Sequence, residues 1–339
     1  MMLPRLLVRL APIAFTLAAI TACGDAPTAG EATASSSQAI LGGTPVTTDT
    51  LGTPIVCGYS GTACTFGCSG TMVADRWLLT AHHCATTTNV TTGGTAIAPG
   101  GLIAWIPGAP YSLKNVAIYL HPTLDVALVE MDYSVVNAAL EAPTTPIWTG
   151  TSASLRGKTI YCQGAGDTTL SGGFETVTSA ELVVEAASVG SLVLLPNSQG
   201  QALYEGDSGA GCFLHAPGTP DLLVSVHSEH ESPGIGVTDD LEVGADGFES
   251  WASSTIASQA CSIAGATCGT ITDGLGTAVS CGTCGTGDVC SANACECAPK
   301  KCPTALVWNQ STCSCQLTCH SPITCCAAAG GSYIDGHCE

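Results

Sequence analysis

The sequence predicts an all-β fold followed by a small disulfide-rich module. From Ile40 onward, apolar runs of strand length alternate with turn residues: "RWLLTA", "NVAIYLH", "LDVALVEM", "KTIYCQG", "AELVVEA", "SLVLLP" and "DLLVSVHS". This spacing is that of a barrel or sandwich. The chain of 339 residues is 45% hydrophobic but only 10% charged and holds 40 Gly, a balance that favours short strands and turns over long helices. Of its 21 cysteines, 14 crowd between Cys261 and Cys338, where apolar runs vanish.

Taken in order, the chain opens with "MMLPRLLVRLAPIAFTLAAITAC", in which Arg5 and Arg9 precede an apolar run from Leu10 to Ile20 and then small residues. Residues 1–22 read as an export signal, too short and wrongly flanked for a membrane span. The residues "ITAC" resemble a bacterial lipoprotein box, which implies cleavage before Cys23 and lipidation of its sulfur. An ordinary signal-peptide cut at Ile20-Thr21-Ala22 is the competing reading. Cysteine parity favours the lipid, because setting Cys23 aside leaves two even sets for disulfides.

Residues 23–39, small and polar, have nothing to bury and read as a tether or propeptide. The strand-rich region spans 40–258 and closes on a helical candidate, "DGFESWASSTIASQA", whose Phe248, Trp251 and Ile256 share a face. The domain boundary falls at 258–261. Residues 261–339 form the cysteine-rich module, held by disulfides in place of a core. Cys281-x-x-Cys284 has a spacing also used for zinc, but in an exported chain it predicts disulfides and no metal. So many cysteines argue against a reducing compartment. The net charge of −19 argues against a nucleic-acid partner.

The most specific motif is "EGDSGAGC", Glu205 to Cys212. Glycines on both sides of Ser208 permit a sharp turn that exposes the hydroxyl and lets backbone N–H groups converge, as in an oxyanion hole. A serine nucleophile needs a base, and the base an orienting carboxylate. The chain supplies His83 in "TAHHC" and Asp125 in "HPTLDVALVEM".

With these residues in view, 40–258 resembles the chymotrypsin/trypsin-like serine proteases. "ILGG" at Ile40 matches the family's mature N-terminus. "CSGTMVADRWLLTAHHC" matches its cysteine-to-histidine segment, with Cys84 16 residues after Cys68. "LDVALVEM" matches the aspartate strand, "GDSG" the nucleophile, and "PGIGV" with "FESWASSTIAS" the closing segment and terminal helix. The resemblance implies two six-stranded antiparallel β-barrels with a C-terminal helix, and no cofactor. It makes His83 the base, Asp125 its carboxylate and Ser208 the nucleophile, with the N–H groups of Gly206 and Ser208 as the oxyanion hole. His82 stands where the family has alanine and is expected to be partly exposed.

Further roles follow from the resemblance. Ser228 aligns with a serine that supports the triad aspartate; a plain strand serine is the alternative. Asp207 is expected to pair with the amine of Ile40 after cleavage of Ala39–Ile40 by an activating protease. The substrate pocket draws on Ala202, His227, His230 and Gly234. Ala202 stands at the floor in place of an aspartate, which argues against Lys or Arg as the residue before the scissile bond. His227 either binds a substrate carboxylate there or fills the pocket wall. The expected disulfides are Cys68–Cys84, then Cys162–Cys212, each two residues from a family position, and by elimination Cys57–Cys64.

Several positions depart from the pattern. Ala210 and Gly211 replace a glycine and a proline, Glu229 and His230 an aromatic and a glycine, and Tyr204 a cysteine. The chain is accordingly read as an exported serine endopeptidase acting on proteins or peptides, membrane-attached through Cys23 until cleaved. A catalytically idle, protease-like surface binding protein is the alternative, and a small esterase a third reading.

Overall fold

The computed structural model describes residues 40–48, 50–60, 63–107, 112–135, 143–165, 177–215, 218–231, 239–302, 306–309, 313–317, 333–334 and 337–338. After the short β1 (Thr44–Pro45) come β2 (Ile55–Ser60), β3 (Ala63–Ser69), β4 (Thr71–Ala74), β5 (Trp77–Thr80), β6 (Leu102–Trp105), β7 (Leu113–Leu120) and β8 (Ala127–Met131). These seven pair antiparallel in the order β3-β2-β6-β7-β8-β5-β4. Only Gly70 separates β3 from β4, so they act as one kinked strand and the sheet curls into a nearly closed barrel.

The second half contains β9 (Thr159–Gly164), β10 (Thr178–Ser188), β11 (Ser191–Leu195), β12 (Gly211–Leu214), β13 (Leu222–Glu231) and β14 (Asp239–Gly244). They pair in the ring β9-β10-β11-β14-β13-β12, and β12 returns to β9, so this six-stranded barrel is closed, with β1 added against β10. The architecture is the one the resemblance implies.

Alternation builds the cores. Along β10, Leu182 and Val184 are buried while Glu181 and Glu185 face out, as a period of two requires. One core fills the first barrel around Leu78, Leu102, Leu113 and Val129, and another fills the second around Ile160, Leu182, Leu194 and Ile40. A third lies between them, where Trp77, Leu79 and Leu128 meet Phe213, Leu223 and Val226.

The helix α1 (Ala245–Ile263) packs on this third core through Phe248, Ala252 and Ile256, a stripe of period four. Trp251 falls beside the stripe, half-buried, edge-on to the His121 ring. The first helical turn is tied down by Asp246, whose carboxylate accepts N–H groups from Ser152 (2.9 Å) and Gly190 (3.0 Å) and the Ser152 hydroxyl. α1 runs through residues 258–261, and its Cys261 is bonded to Cys281.

Beyond the helix, the described residues form four two-stranded hairpins: β15–β16 (Thr270–Thr272, Ala278–Ser280), β17–β18 (Asp288–Ser291, Ala294–Cys297), β19–β20 (Leu306–Asn309, Ser314–Leu317) and β21–β22 (Tyr333–Ile334, His337–Cys338). Disulfides Cys268–Cys290, Cys284–Cys295, Cys297–Cys313 and Cys302–Cys315 link the segments. Cys281 and Cys284 are thus bonded to different partners. The turn between β15 and β16 reaches back to the barrels, with Leu275 packed on the third core and Gly274 against Trp77.

Candidate active site

The cleft between the barrels is built from both. β5 ends at Thr80, and a 3₁₀ turn at His83–Ala85 follows, its Cys84 bonded to Cys68. This fixes the backbone on which His83 stands. The His83 N–H donates to Asp125 Oδ1 (2.9 Å), and its ring Nδ1 lies 2.8 Å from Asp125 Oδ2. Asp125 itself is held by the turn before β8, where His121 Nδ1 accepts the Leu124 N–H at 3.0 Å. Burial and the neighbouring His82 lower the pKa of His121, which suits an acceptor nitrogen.

The second barrel contributes Ser228, whose hydroxyl donates to Asp125 Oδ2 at 2.7 Å. An ionised carboxylate only accepts, so Asp125 fixes the proton of His83 on Nδ1 and leaves Nε2 as an acceptor. His83, Ser208, Gly206, Ser228 and Glu229 line one cleft of about 350 Å³, together with Glu205, Asn89 and Thr91. Sequence reasoning gave none of the last three a role: Asn89 and Thr91 lie in a loop without a motif, and Glu205 opens "EGDSGAGC" but was passed over for the residues after it. Among the described residues, no hydrogen bond runs from Ser208 Oγ to His83 Nε2; contacts of this type often close only around substrate.

The turn carrying Ser208 is pinned to both barrels. Ser69 N–H donates to Ser208 O (2.8 Å) and Ser69 Oγ to Gly206 O (3.1 Å), while Gly209 N–H donates to His227 O (2.8 Å). Gly209 has φ 86°, and a Cβ there would lie 2.3 Å from Ser69 O, so only glycine fits. The N–H groups of Asp207 and Ala210 are also used inside the protein, on Tyr204 O and Asp207 O. Those of Gly206 and Ser208 take no acceptor among the described residues.

Behind the turn, Ile40 N–H donates to Asp207 Oδ2 at 2.8 Å, and Tyr204 N–H donates to the same oxygen at 2.9 Å. Both Ile40 and Asp207 are fully buried. Gly164 makes room for them: a Cβ there would sit 2.1 Å from Asp207 Oδ1. Ala202, also buried, bridges to Leu41.

A family model described as Trypsin matches residues 40–240. The chain belongs to the trypsin family. No curated protein matches it. The structure pairs Cys68 with Cys84 and Cys162 with Cys212, the two pairs expected from the sequence. Cys57 is disulfide-bonded, but the side chain of Cys64 lies outside the described residues, as do the His230 side chain, Gly234 and Cys23.

One expectation is corrected. His82 is buried, not partly exposed, with Nε2 2.7 Å from Gly93 O, because the turn after β5 directs it inward under the Gly93 loop. Two acids, Asp240 and Glu242, lie buried on the strand beside His227. Asp240 Oδ2 accepts the N–H of Leu203 (3.1 Å), and Glu242 accepts from Ser225 Oγ (3.0 Å) and lies 2.7 Å from His227 Nδ1. Burial pushes the Asp240 carboxyl up to about 7, with Glu242 and Asp207 adding to the rise against His227 and Leu203 N–H. Burial alone would lower His227, but Glu242 with Asp240 and Asp207 carries it above its ordinary value. The available signal was "DDLEVG", two acids at alternate positions of a strand.

Proposed function

We propose that this chain is an exported serine endopeptidase that hydrolyses peptide bonds through Ser208, His83 and Asp125, activated by cleavage before Ile40. The observation that carries the reading is Asp125 Oδ2 receiving both His83 Nδ1 (2.8 Å) and Ser228 Oγ (2.7 Å) beside the turn of Ser208. A carboxylate so held orients the imidazole and stabilises its charged form.

In the proposed reaction Ser208 Oγ attacks the peptide carbonyl while His83 Nε2 takes its proton. The oxyanion forms toward the N–H groups of Gly206 and Ser208, each donor contributing about 3–4 kcal/mol. His83 returns the proton to the amine as the C–N bond breaks, leaving an acyl group on Ser208. A water activated by His83 then releases the acid and restores the serine. Nothing in these steps calls for a cofactor.

Activation follows from Asp207. Cutting Ala39–Ile40 turns the amide at Ile40 into an ammonium, and a buried carboxylate gains far more from a cation than from a neutral donor. The disulfides suit an oxidising compartment, and no helix among the described residues is long and apolar enough to cross a membrane. With a lipid on Cys23, the same cut frees the enzyme from its anchor, so the anchored form is the zymogen. Full activity in a membrane-bound species still beginning at Cys23 overturns that part.

The test is labelling of the purified exported protein with a serine-reactive fluorophosphonate, reading the labelled residue and the N-terminus by mass spectrometry. Label on Ser208 in a chain beginning at Ile40 is expected. A chain beginning at Ile40 that takes no label belongs to the idle binding-protein reading. Ester turnover without peptide cleavage marks an esterase.

A further inference from the structure

Of the two adjacent histidines, only His83 takes part in the proposed hydrolytic steps. His82 is 1% exposed and lies beneath the loop that follows it. Residues 87–95 of that loop are exposed throughout except for Val90. Its base is closed by backbone: Thr86 bridges to Ala96, and Thr87 N–H donates to Thr95 O at 2.9 Å. One limb is held by Val90 N–H, which donates to Thr86 Oγ1 at 3.3 Å. The other limb rests on His82, whose Nε2 lies 2.7 Å from Gly93 O. Gly93 and Gly94 have φ 70° and 76°, a backbone open to glycine that points the Gly93 carbonyl down at the ring.

The imidazole is a costly filler for this place. A carbonyl only accepts, so His82 Nε2 carries a proton and donates it to Gly93 O. Its Nδ1 is sealed from solvent and has no partner among the described residues. An apolar side chain would fill the space without that penalty. What the ring adds is the bond to Gly93. The loop so held walls the candidate active site. Asn89 and Thr91 line the cleft of His83 and Ser208, and Thr91 continues with Thr92 into a second cleft of about 320 Å³ beside Asp125. Thr91, Ser228 and Glu229 line both clefts, which therefore form one furrow past Ser208.

We propose that His82 is a positioning residue for substrate: it holds the 87–95 loop in place so that Asn89 and Thr91 grip an extended peptide beside the scissile bond. This rests on the proteolytic reading above. The Asn89 carboxamide and the Thr91 hydroxyl each donate and accept, which suits the N–H and C=O groups of a peptide backbone whatever its side chains. His82 thus acts on binding through the loop. Its effect belongs in KM for a substrate long enough to reach that wall, and not in the chemistry at Ser208.

The experiment uses the full exported chain, purified with its N-terminus at Ile40, and an octapeptide spanning the site it cuts fastest in β-casein. In His82→Ala, KM for the octapeptide is expected to rise about tenfold while kcat stays within about twofold of wild type. Labelling of Ser208 by a small fluorophosphonate, which does not reach the loop, should keep its rate. His82→Gln carries an amide N–H at the reach of Nε2 and should bring KM back. Amide hydrogen exchange in residues 87–95 should quicken in the Ala variant and not in the Gln variant, a readout independent of turnover. An unchanged KM overturns the proposal, as does a Gln variant no better than Ala. A fall in kcat and labelling at constant KM also overturns it, placing His82 in the support of His83 instead. If His82→Ala does not fold, Asn89→Ala combined with Thr91→Ala, both exposed, carries the test: a tenfold higher KM is expected, and a wild-type KM shows that the wall grips nothing. Normal labelling with unchanged loop exchange in His82→Ala sinks only this inference, whereas a wild-type chain that neither labels nor cuts casein sinks the protease reading with it.

Discussion

Ser228 Oγ donates to Asp125 Oδ2 across 2.7 Å and so binds the second barrel to the first at the carboxylate that holds His83. Removing it costs that carboxylate one of three donors, about 1–2 kcal/mol. Ser228→Ala is therefore expected to lower kcat/KM about 5- to 30-fold, with the folded state intact by circular dichroism. Unchanged kinetics would make Ser228 a plain strand serine.

Asp207 receives Ile40 N–H in a fully buried site. Asp207→Asn leaves the new amine buried beside a neutral amide, a loss of about 3–5 kcal/mol. The cleaved variant should lose more than a hundredfold in Ser208 labelling rate. Labelling at the wild-type rate would show that the turn keeps its shape without the ion pair.

The acid cluster predicts a pH dependence of stability. Asp240 is raised to about 7 by burial, and His227, Glu242, Asp207 and the Leu203 N–H are the groups that face it. A raised carboxyl means the folded chain binds more protons than the unfolded one between about pH 4 and 7, so stability falls as pH rises through that window. His227, also raised, acts in the same direction, its contribution present at low pH and lost as pH passes its folded pKa. Tm should decline from pH 5 to 8, and Asp240→Asn should flatten the decline. A Tm that rises over this range contradicts the assignment.

Leu275, in the turn after β15, packs half-buried on the core that contains Trp77. Leu275→Ala is expected to cost the whole protein about 1 kcal/mol, a Tm drop of about 2–4 °C for a domain of this size. If the main unfolding transition does not move, the tail turn contributes nothing to the protease half.

The barrels were readable because their strands alternate and because His83, Asp125 and Ser208 sit in short motifs in family order. The limits were physical. α1 was found from its apolar spacing, yet Ala252 and Ala260, too small to register as a stripe, complete its buried face in place of Trp251. His82 was misjudged because neighbouring histidines look alike until the turn decides which points inward. Asp240 and Glu242 were passed over because acids in a strand ordinarily face water, and only the pairing of β13 with β14 turns them toward His227.

Ile40 and Asp207 stand 167 residues apart in the chain, and Ser228 and Asp125 are separated by 103. Contacts this distant close late in folding, after each barrel has gathered its local strands. The histidine and carboxylate belong to one barrel and the serine to the other, so a chain in which only the first barrel has folded holds no complete set of the three.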